Sequence, residues 1–466
     1  MNIKTYKSFF IDMMLMCIDL LLVAVSILLP FQFQWRIFIG IHLLFPITFV
    51  AALFFLFGIY EIYSRIIRKT YELAISIIIC LTLAFCFALV VTAIFDFSFL
   101  APYWWRLLLC FLLAFALILS WKMLAVRLIN KYIVPAKLLV IESKDVDSKL
   151  ARKIKYAYAS VSNAWYELID SDDESVIHDI IDNRMQEFDS LFVSNDLNQN
   201  ARNQIISRAV ELNKELYILP TLYNIVNQYD IVNFEDTPLL RLKGFRPSRF
   251  TVVSKRAADL ALSFIGLVLA SPIMLLCALA IRLDSEGPVF YTQERVTLHG
   301  KIFKIYKFRT MIDDAEKFIG SVLSTENDPR ITKVGRILRS TRMDELPQLF
   351  NILTGDMSIV GPRPERPKFV EEYKQTIENY EKRFLVKAGL TGLAQVYGRY
   401  DTKAADKTLY DLLYIKNYSL WQDIKLIFMT IKVMFLKESA QGVRKEPVYT
   451  AKVTPTPENP EIPAVK

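Results

Sequence analysis

The sequence predicts a membrane α-helical bundle, an α/β parallel-sheet middle domain, and a second α/β domain that carries its own re-entrant membrane helix. Three observations point there. Four apolar runs fill the first quarter of the 466 residues, short apolar runs then alternate with amphipathic stretches, and a fifth apolar run is interrupted by Ser271-Pro272. The expected boundaries are 1–125 for the bundle, 135–245 for the middle domain, and 250–437 for the last domain with its re-entrant helix at 256–283. A polar, proline-rich tail over 438–466 is expected to be disordered.

Composition bounds the chemistry. A 53% hydrophobic content is high for a soluble protein. The surplus of Lys+Arg over Asp+Glu, 56 against 48, suits an anionic membrane face or an anionic substrate and does not call for nucleic acid. The cysteines Cys17, Cys80, Cys86, Cys110 and Cys277 all lie in apolar stretches without metal-site spacing, and read as free, buried thiols. With only His42, His178 and His299 available, imidazole chemistry has little material, so the acid, base or nucleophile is expected among carboxylates.

The apolar runs at 9–30, 37–60, 73–95 and 107–124 each approach the ~20 residues a helix needs to cross a bilayer. Basic residues orient them. Lys4 and Lys7 precede the first run, Arg65, Arg68 and Lys69 separate the second and third, and Arg127, Lys131 and Lys137 follow the fourth. The other two connections carry only Arg36 and Arg106, beside Trp35, Trp104 and Trp105. Both ends of the bundle should therefore face the cytosol.

Apolar runs at 138–141, 191–193 and 216–219, with an amphipathic stretch at 203–212, make a βα pattern and a small parallel sheet. A dinucleotide site is argued against: no glycine occurs between Gly58 and Gly244, and a phosphate-cradling turn after the first strand needs them. The middle domain is thus Rossmann-like without nucleotide-binding glycines, with a structural or regulatory role.

In the fifth run, 260–283, proline removes a backbone donor and the neighbouring serine hydroxyl can help satisfy what is freed. Lys255 and Arg256 flank one end and Arg282 the other. A helix that enters, kinks at Ser271-Pro272 and returns keeps both flanks cytosolic; a proline-kinked fifth span is the alternative, and composition leaves both open.

Between 287 and 421 the sequence turns rich in cations, carboxylates, Gly and Pro. On a strand, Lys307 and Arg309 share a face and could hold a diphosphate, or form a solvated charged edge. Pro347 is tolerated only in a first turn, so a helix should start near Asp344, burying Leu346, Leu349, Phe350 and Leu353. Asp344 and Glu345 then sit at its N-terminal end, where the helix dipole favours ionised acids. Arg339 and Arg342 precede the pair, and Gly361-Pro362-Arg363-Pro364 is a rigid turn presenting one arginine. Adjacent carboxylates flanked by arginines suit phosphoryl transfer from a diphosphate, one carboxylate holding a divalent metal and the other attacking phosphorus. Hard oxygen ligands and few histidines make Mg²⁺ the expected ion.

Residues from about 255 to 437 resemble the bacterial sugar transferase family, the polyprenyl-phosphate hexose-1-phosphate transferases. The resemblance rests on Ser271-Pro272, the block Lys307-Phe308-Arg309-Thr310-Met311, Asp328-Pro329-Arg330, the block from Leu338 through Asp344-Glu345 to Pro364, and Gly389-Leu390-Thr391-Gly392-Leu393-Ala394-Gln395. The whole layout resembles the long members with four N-terminal transmembrane helices. The resemblance implies a phosphoglycosyl transferase in the bacterial inner membrane, multi-pass with cytosolic termini, acting early in exopolysaccharide, capsule or O-antigen synthesis. It implies that Asp344 attacks the β-phosphorus of UDP-glucose or UDP-galactose, releasing UMP, and that undecaprenyl phosphate then takes the phosphosugar. It also implies that Glu345 binds Mg²⁺, that Arg339, Lys307, Arg363 with Pro362 and Pro364, and Asp411 belong to the site, and that Ser271-Pro272 forms the re-entrant break. The apolar membrane surface permits a homodimer without requiring one. Many members read Pro-Gly-Leu-Thr-Gly-Trp where this chain has Ala388 and Leu393 at the first and last positions. Two other readings are a membrane-tethered epimerase or dehydratase, which lacks its glycine-rich loop here, and a non-catalytic scaffold of a polysaccharide assembly complex, for which Asp344→Asn would be harmless.

Overall fold

The structure, a computed structural model, describes residues 3–32, 40–63, 70–132, 137–142, 165–170, 177, 179–194, 197–218, 229–234, 237–242, 247–312, 328, 330–398 and 402–435. Pro329, His178, the basic stretch 64–69 and the tail 438–466 lie outside them.

The first region is helical: α1 (Ile3–Leu28), α2 (Leu44–Ile59), α3 (Thr70–Phe95) and α4 (Phe97–Tyr132). Three stretches here, Met13–Phe31, Tyr71–Phe95 and Phe97–Leu128, are long and apolar enough to cross a bilayer, whereas α2 has 16 residues. The run expected at 37–60 is thus shorter as a helix: a 3₁₀ turn (Gly40–Leu43) precedes it, and Pro46 falls in the first turn of α2, where a missing N–H costs nothing. The connection expected around Trp104, Trp105 and Arg106 is likewise helical, because only Asp96 separates α3 from α4. Both tryptophans are exposed on α4, and the Arg106 guanidinium lies 5.1 Å from the Trp105 ring centroid and 5.5 Å from that of Phe31. Phe45, Phe49, Phe57 and Phe85 fill the interior of the bundle. Cys80 and Cys110 are buried there as expected, but Cys17 and Cys86 are exposed on its surface, where an apolar stretch faces lipid as readily as protein.

Next comes a parallel sheet of β1 (Lys137–Glu142), β2 (Trp165–Asp170), β3 (Ser190–Val193) and β4 (Glu215–Ile218), in the order β2-β1-β3-β4. One face is covered by α5 (Gln199–Glu211), whose Ala201, Ile205 and Ala209 meet Leu139, Ile141, Leu191 and Val193. An antiparallel hairpin follows, β5 (Tyr229–Phe234) with β6 (Thr237–Leu242).

The fifth apolar run is one helix, α6 (Arg249–Asp284), roughly 54 Å long by its 36 residues. It is helical through Pro272, so the expected break is not an interruption of the helix. Pro272 cannot donate to the carbonyl four residues back, that of Val268, and the Ser271 hydroxyl donates to this same oxygen at 2.8 Å. In hydrocarbon an unpaired carbonyl would cost several kcal/mol, so the serine lets the helix continue. Lys255, Asp259, Ser263, Cys277 and Ile281 face inward, while Phe264, Leu269, Leu275, Leu276 and Leu283 are exposed.

The remaining elements are a hairpin, β7 (Phe290–Val296) and β8 (Ile302–Phe308); α7 (Lys333–Ser340); a 3₁₀ turn (Met343–Glu345); and α8 (Gln348–Thr354). After them come β9 (Met357–Val360), α9 (Pro367–Thr376), β10 (Ala388–Thr391, parallel to β9), α10 (Leu393–Tyr397), α11 (Ala404–Lys416) and α12 (Leu420–Phe435). The inner face of α6 packs on this domain along its length. Near its start Lys255 pairs with Asp423 at 2.5 Å and Arg256 donates to the Ile352 and Leu353 carbonyls. At its end Asp284 accepts from Val334 N at 2.9 Å. Helix α12 also reaches the bundle: Tyr60 donates to the Phe428 carbonyl and Lys425 pairs with Glu61, each at 2.6 Å.

Candidate functional site

The site is built on the turn between α7 and α8. Thr332 caps α7 by accepting from Gly335 N at 2.9 Å. Gly335 is required because a Cβ there would lie 2.1 Å from the Thr310 carbonyl oxygen, so only glycine lets α7 approach the end of β8 this closely. Arg339, in the last turn of α7, donates from Nε to Thr310 Oγ1 at 2.8 Å. The chain then reverses through Arg342 in the left-handed region (φ 58°), an uncommon conformation outside glycine that aims the next residues into the site.

Asp344 and Glu345 follow in a 3₁₀ turn, not in an α-helix as the position of Pro347 suggested; α8 begins only at Gln348, with Pro347 as its N-cap. Three residues per turn instead of 3.6 rotate the sequence that follows, so Leu349 and Ile352 are buried and Phe350, expected inside, is 45% exposed. Met343 and Leu346, on either side of the acidic pair, pack against a buried cluster that includes Cys277 and Ile281 of α6. The acids therefore lie beside the C-terminal third of α6, beyond Ser271-Pro272. Asn351 fixes α8 to β8 by accepting from Tyr306 N at 2.9 Å and donating to the Lys304 carbonyl at 2.8 Å.

Glu345 is pinned. Its Oε1 takes Lys307 Nζ at 2.9 Å and Arg363 Nη2 at 2.8 Å. Burial opposes its ionisation, but Arg363, Lys307 and Arg342 hold the carboxyl well below the usual carboxylate range. Asp344 differs: among the described residues it makes no hydrogen bond or ion pair. Burial and the adjacent negative Glu345 push its carboxyl up, while Lys307, Arg339 and Arg342 pull it down. The result is a half-buried, unpartnered carboxylate among cations.

Arg363 is presented by a turn clamped at both ends. Gly361 N donates to the Thr391 carbonyl at 2.8 Å and Gly389 N to the Pro362 carbonyl at 2.9 Å. A Cβ on Gly389 would stand 2.1 Å from Gly361 N, so this crossing tolerates no side chain. Pro362 and Pro364 fix the backbone around the arginine, and both are buried. Ala388, where the family resemblance implies a proline, uses the N–H that proline lacks: it donates to Thr297 Oγ1 at 3.1 Å, and Thr297 donates onward to the Asp356 carbonyl at 2.8 Å.

Two expected site residues point elsewhere. β8 ends at Phe308, so the alternation that would pair Lys307 with Arg309 stops there; the Arg309 guanidinium donates to the Glu286 carbonyl and, at 2.8 Å, to that of Ser285, closing the end of α6. Asp411 is buried and 2.7 Å from Arg383, and does not touch the acidic pair. Arg383 and Asn351 escape a reading of the sequence. The signals available were a cation six residues before Gly389 and an amide amid the apolar face of α8. Asp328 forms a two-pronged pair with Arg330, at 2.8 Å to Nε and 2.5 Å to Nη2.

Whether a divalent ion fits can be judged from the donors. Among the described residues no three His, Cys, Asp or Glu side chains cluster to hold a metal. Glu345 Oε2 and both Asp344 oxygens accept no hydrogen bond from the described residues. Mg²⁺ commonly binds through one or two carboxylates and completes its shell with substrate phosphates and water, and this pair fits that mode.

Residues 250–437 match the family model for bacterial sugar transferase. Over this region the chain is similar to that family. Similar curated proteins include a UDP-glucose:undecaprenyl-phosphate glucose-1-phosphate transferase of Klebsiella pneumoniae, 42% identical over 230 residues (48% of this chain, 47% of the relative). A UDP-N-acetylgalactosamine-undecaprenyl-phosphate N-acetylgalactosaminephosphotransferase of Aeromonas hydrophila is 42% identical over 197 residues (42% and 46%). An undecaprenyl-phosphate galactose phosphotransferase of Salmonella typhimurium is 37% identical over 233 residues (47% and 48%). The chain spans about half the length of these curated relatives.

Proposed function

We propose that this protein transfers hexose-1-phosphate, from UDP-glucose or UDP-galactose, to undecaprenyl phosphate at the cytosolic face of the bacterial inner membrane, as an early step of polysaccharide assembly. The observation that carries it is the contrast within the acidic pair: Glu345 is held by Lys307 and Arg363, while Asp344 is unpartnered among cations.

Asp344 supplies the attacking oxygen. It bonds to the β-phosphorus as the bond from that phosphorus to the bridging oxygen breaks, and UMP leaves with that oxygen. An oxygen of the lipid phosphate then attacks the same phosphorus, the bond to Asp344 breaks, and the carboxylate is regenerated beside a lipid diphosphate-sugar. Lys307, Arg339, Arg342 and Arg363 face the charge that builds on the phosphate oxygens. Mg²⁺, held through Glu345, would further neutralise the diphosphate.

Depth in the membrane supports the lipid acceptor. Helix α6 is apolar enough to cross a bilayer, yet its start and its end both bind the same domain, through Lys255–Asp423 and Asp284–Val334. A helix that stays helical but bends at Ser271-Pro272, dipping into one leaflet and returning, satisfies both observations, leaves both termini cytosolic, and sets the acidic pair at headgroup level. The test uses the full-length protein in detergent with Mg²⁺, labelled UDP-glucose or UDP-galactose, and undecaprenyl phosphate. UMP release with label entering the lipid is expected; UDP release would mark an ordinary glycosyltransferase and contradict the reading.

A further inference from the structure

Arg383 is 6% exposed and lies away from the acidic pair, yet its contacts lead to it. One terminal nitrogen, Nη2, donates to the Arg363 carbonyl at 2.9 Å and to Asp411 Oδ2 at 2.7 Å, and Nη1 donates to the Tyr380 hydroxyl. Its guanidinium carbon lies 4.9 Å from the Tyr380 ring centroid. Pro362 and Pro364 fix the turn on either side of Arg363, so the orientation of the Arg363 peptide is the freedom left, and Arg383 holds that carbonyl. The Arg363 side chain continues to Glu345 at 2.8 Å.

A buried ion pair of this kind is a weak source of stability, because removing both charges from water offsets their attraction. Here burial pushes the Asp411 carboxyl up to about 6 despite Arg383, and among the described residues Arg383 Nε is buried without a hydrogen-bond partner. The pair is better suited to placing a neighbour than to holding the fold.

We propose that Arg383 is a positioning residue for phosphosugar transfer: held by Asp411, it fixes the Arg363 backbone and so the placement of the Arg363 guanidinium on Glu345 and the donor diphosphate. The inference rests on the transferase reading above and re-reads Asp411, which then acts through Arg383 and not on the substrate.

A double-mutant cycle on the full-length protein tests it, following UMP release with Mg²⁺, the UDP-hexose used by the wild type, and undecaprenyl phosphate. Arg383→Lys keeps the charge but loses the planar fork that reaches three partners at once. It should lower kcat/KM for the nucleotide sugar by about 10–100-fold, with KM for the lipid phosphate unchanged. In an Arg363→Gln background the same change should cost less than about twofold, because the group it places is already gone. Fold-losses that multiply across the two positions in an active enzyme would overturn the inference, since a purely structural defect acts whichever residue occupies 363. Where Arg383→Lys does not fold, Asp411→Asn takes its place in the cycle with the same expectation. Wild-type protein that releases no UMP would defeat the transferase reading itself, a result separate from multiplying losses.

Discussion

Two acidic sites in this molecule meet their cations in opposite ways. In the membrane bundle Asp19 Oδ2 takes Lys122 Nζ at 2.6 Å and the Tyr63 hydroxyl at 2.7 Å, with side-chain exposures of 0% and 5% for the ion pair. Lys122 also lies 4.3 Å from the Tyr63 ring centroid, so one acid is matched to one cation and enclosed. At the turn between α7 and α8, Asp344 and Glu345 are faced by Lys307, Arg339, Arg342 and Arg363, and Asp344 takes none of them as a direct partner. The first arrangement neutralises charge where water is absent. The second leaves a surplus of positive charge and an uncommitted carboxylate, which a diphosphate can use.

The contrast breaks most sharply at Asp344. Asp344→Asn should cut UMP release by at least ~10³-fold, as expected for loss of a nucleophile, with the unfolding midpoint in detergent unchanged. A variant that kept near-normal turnover would make this acid a helix-turn cap and would return the scaffold reading to favour. Lys122→Met is the mirror image. Removing one partner of an enclosed pair costs about 3–5 kcal/mol, so thermal unfolding should shift down markedly while kcat per folded molecule holds. A fall in kcat with unchanged stability would mean that the bundle's charges serve the reaction.

A pH profile sharpens the comparison further. Because burial and Glu345 push the Asp344 carboxyl up, the proton returns to the attacking oxygen at a higher pH than in a free aspartate, near ~3.9. Turnover should therefore fall as pH drops through that raised value. Arg339 pulls the same carboxyl down, so Arg339→Gln should move the acid limb to still higher pH, and a limb that stays in place would remove Arg339 from the electrostatics of the site. The smallest effect concerns the departure at Ala388. Thr297→Val removes the acceptor of its N–H and should cost about 1 kcal/mol of stability by denaturant titration, whereas an unchanged midpoint would leave that contact without weight.

Much of this architecture is legible in the sequence wherever a periodic or compositional signal is strong. The bundle's apolar runs and three strands of the parallel sheet are of that kind. β2 (Trp165–Asp170) is missed because Glu167 interrupts its apolar residues, and the start of α4 because Trp104, Trp105 and Arg106 look like a connection while being helical. The acidic pair is visible by its company of arginines. The α-helical phase assumed from Pro347 is not, since a 3₁₀ turn and a left-handed Arg342 leave no periodic trace over so few residues. Arg309 departs from its expected face for a related reason: alternation predicts that face only while the strand lasts, and β8 stops one residue earlier. Arg383 depends on a contact with residue 363, twenty positions away, that only tertiary packing creates.

The most direct measurement omits the lipid acceptor. Protein incubated with Mg²⁺ and the labelled nucleotide sugar should gain the mass of one hexose phosphate, located by peptide mapping to Asp344, with one UMP released per site and no gain in Asp344→Asn. Turnover to lipid in the wild type without such an adduct, or an adduct that persists in Asp344→Asn, would contradict the role given to this side chain.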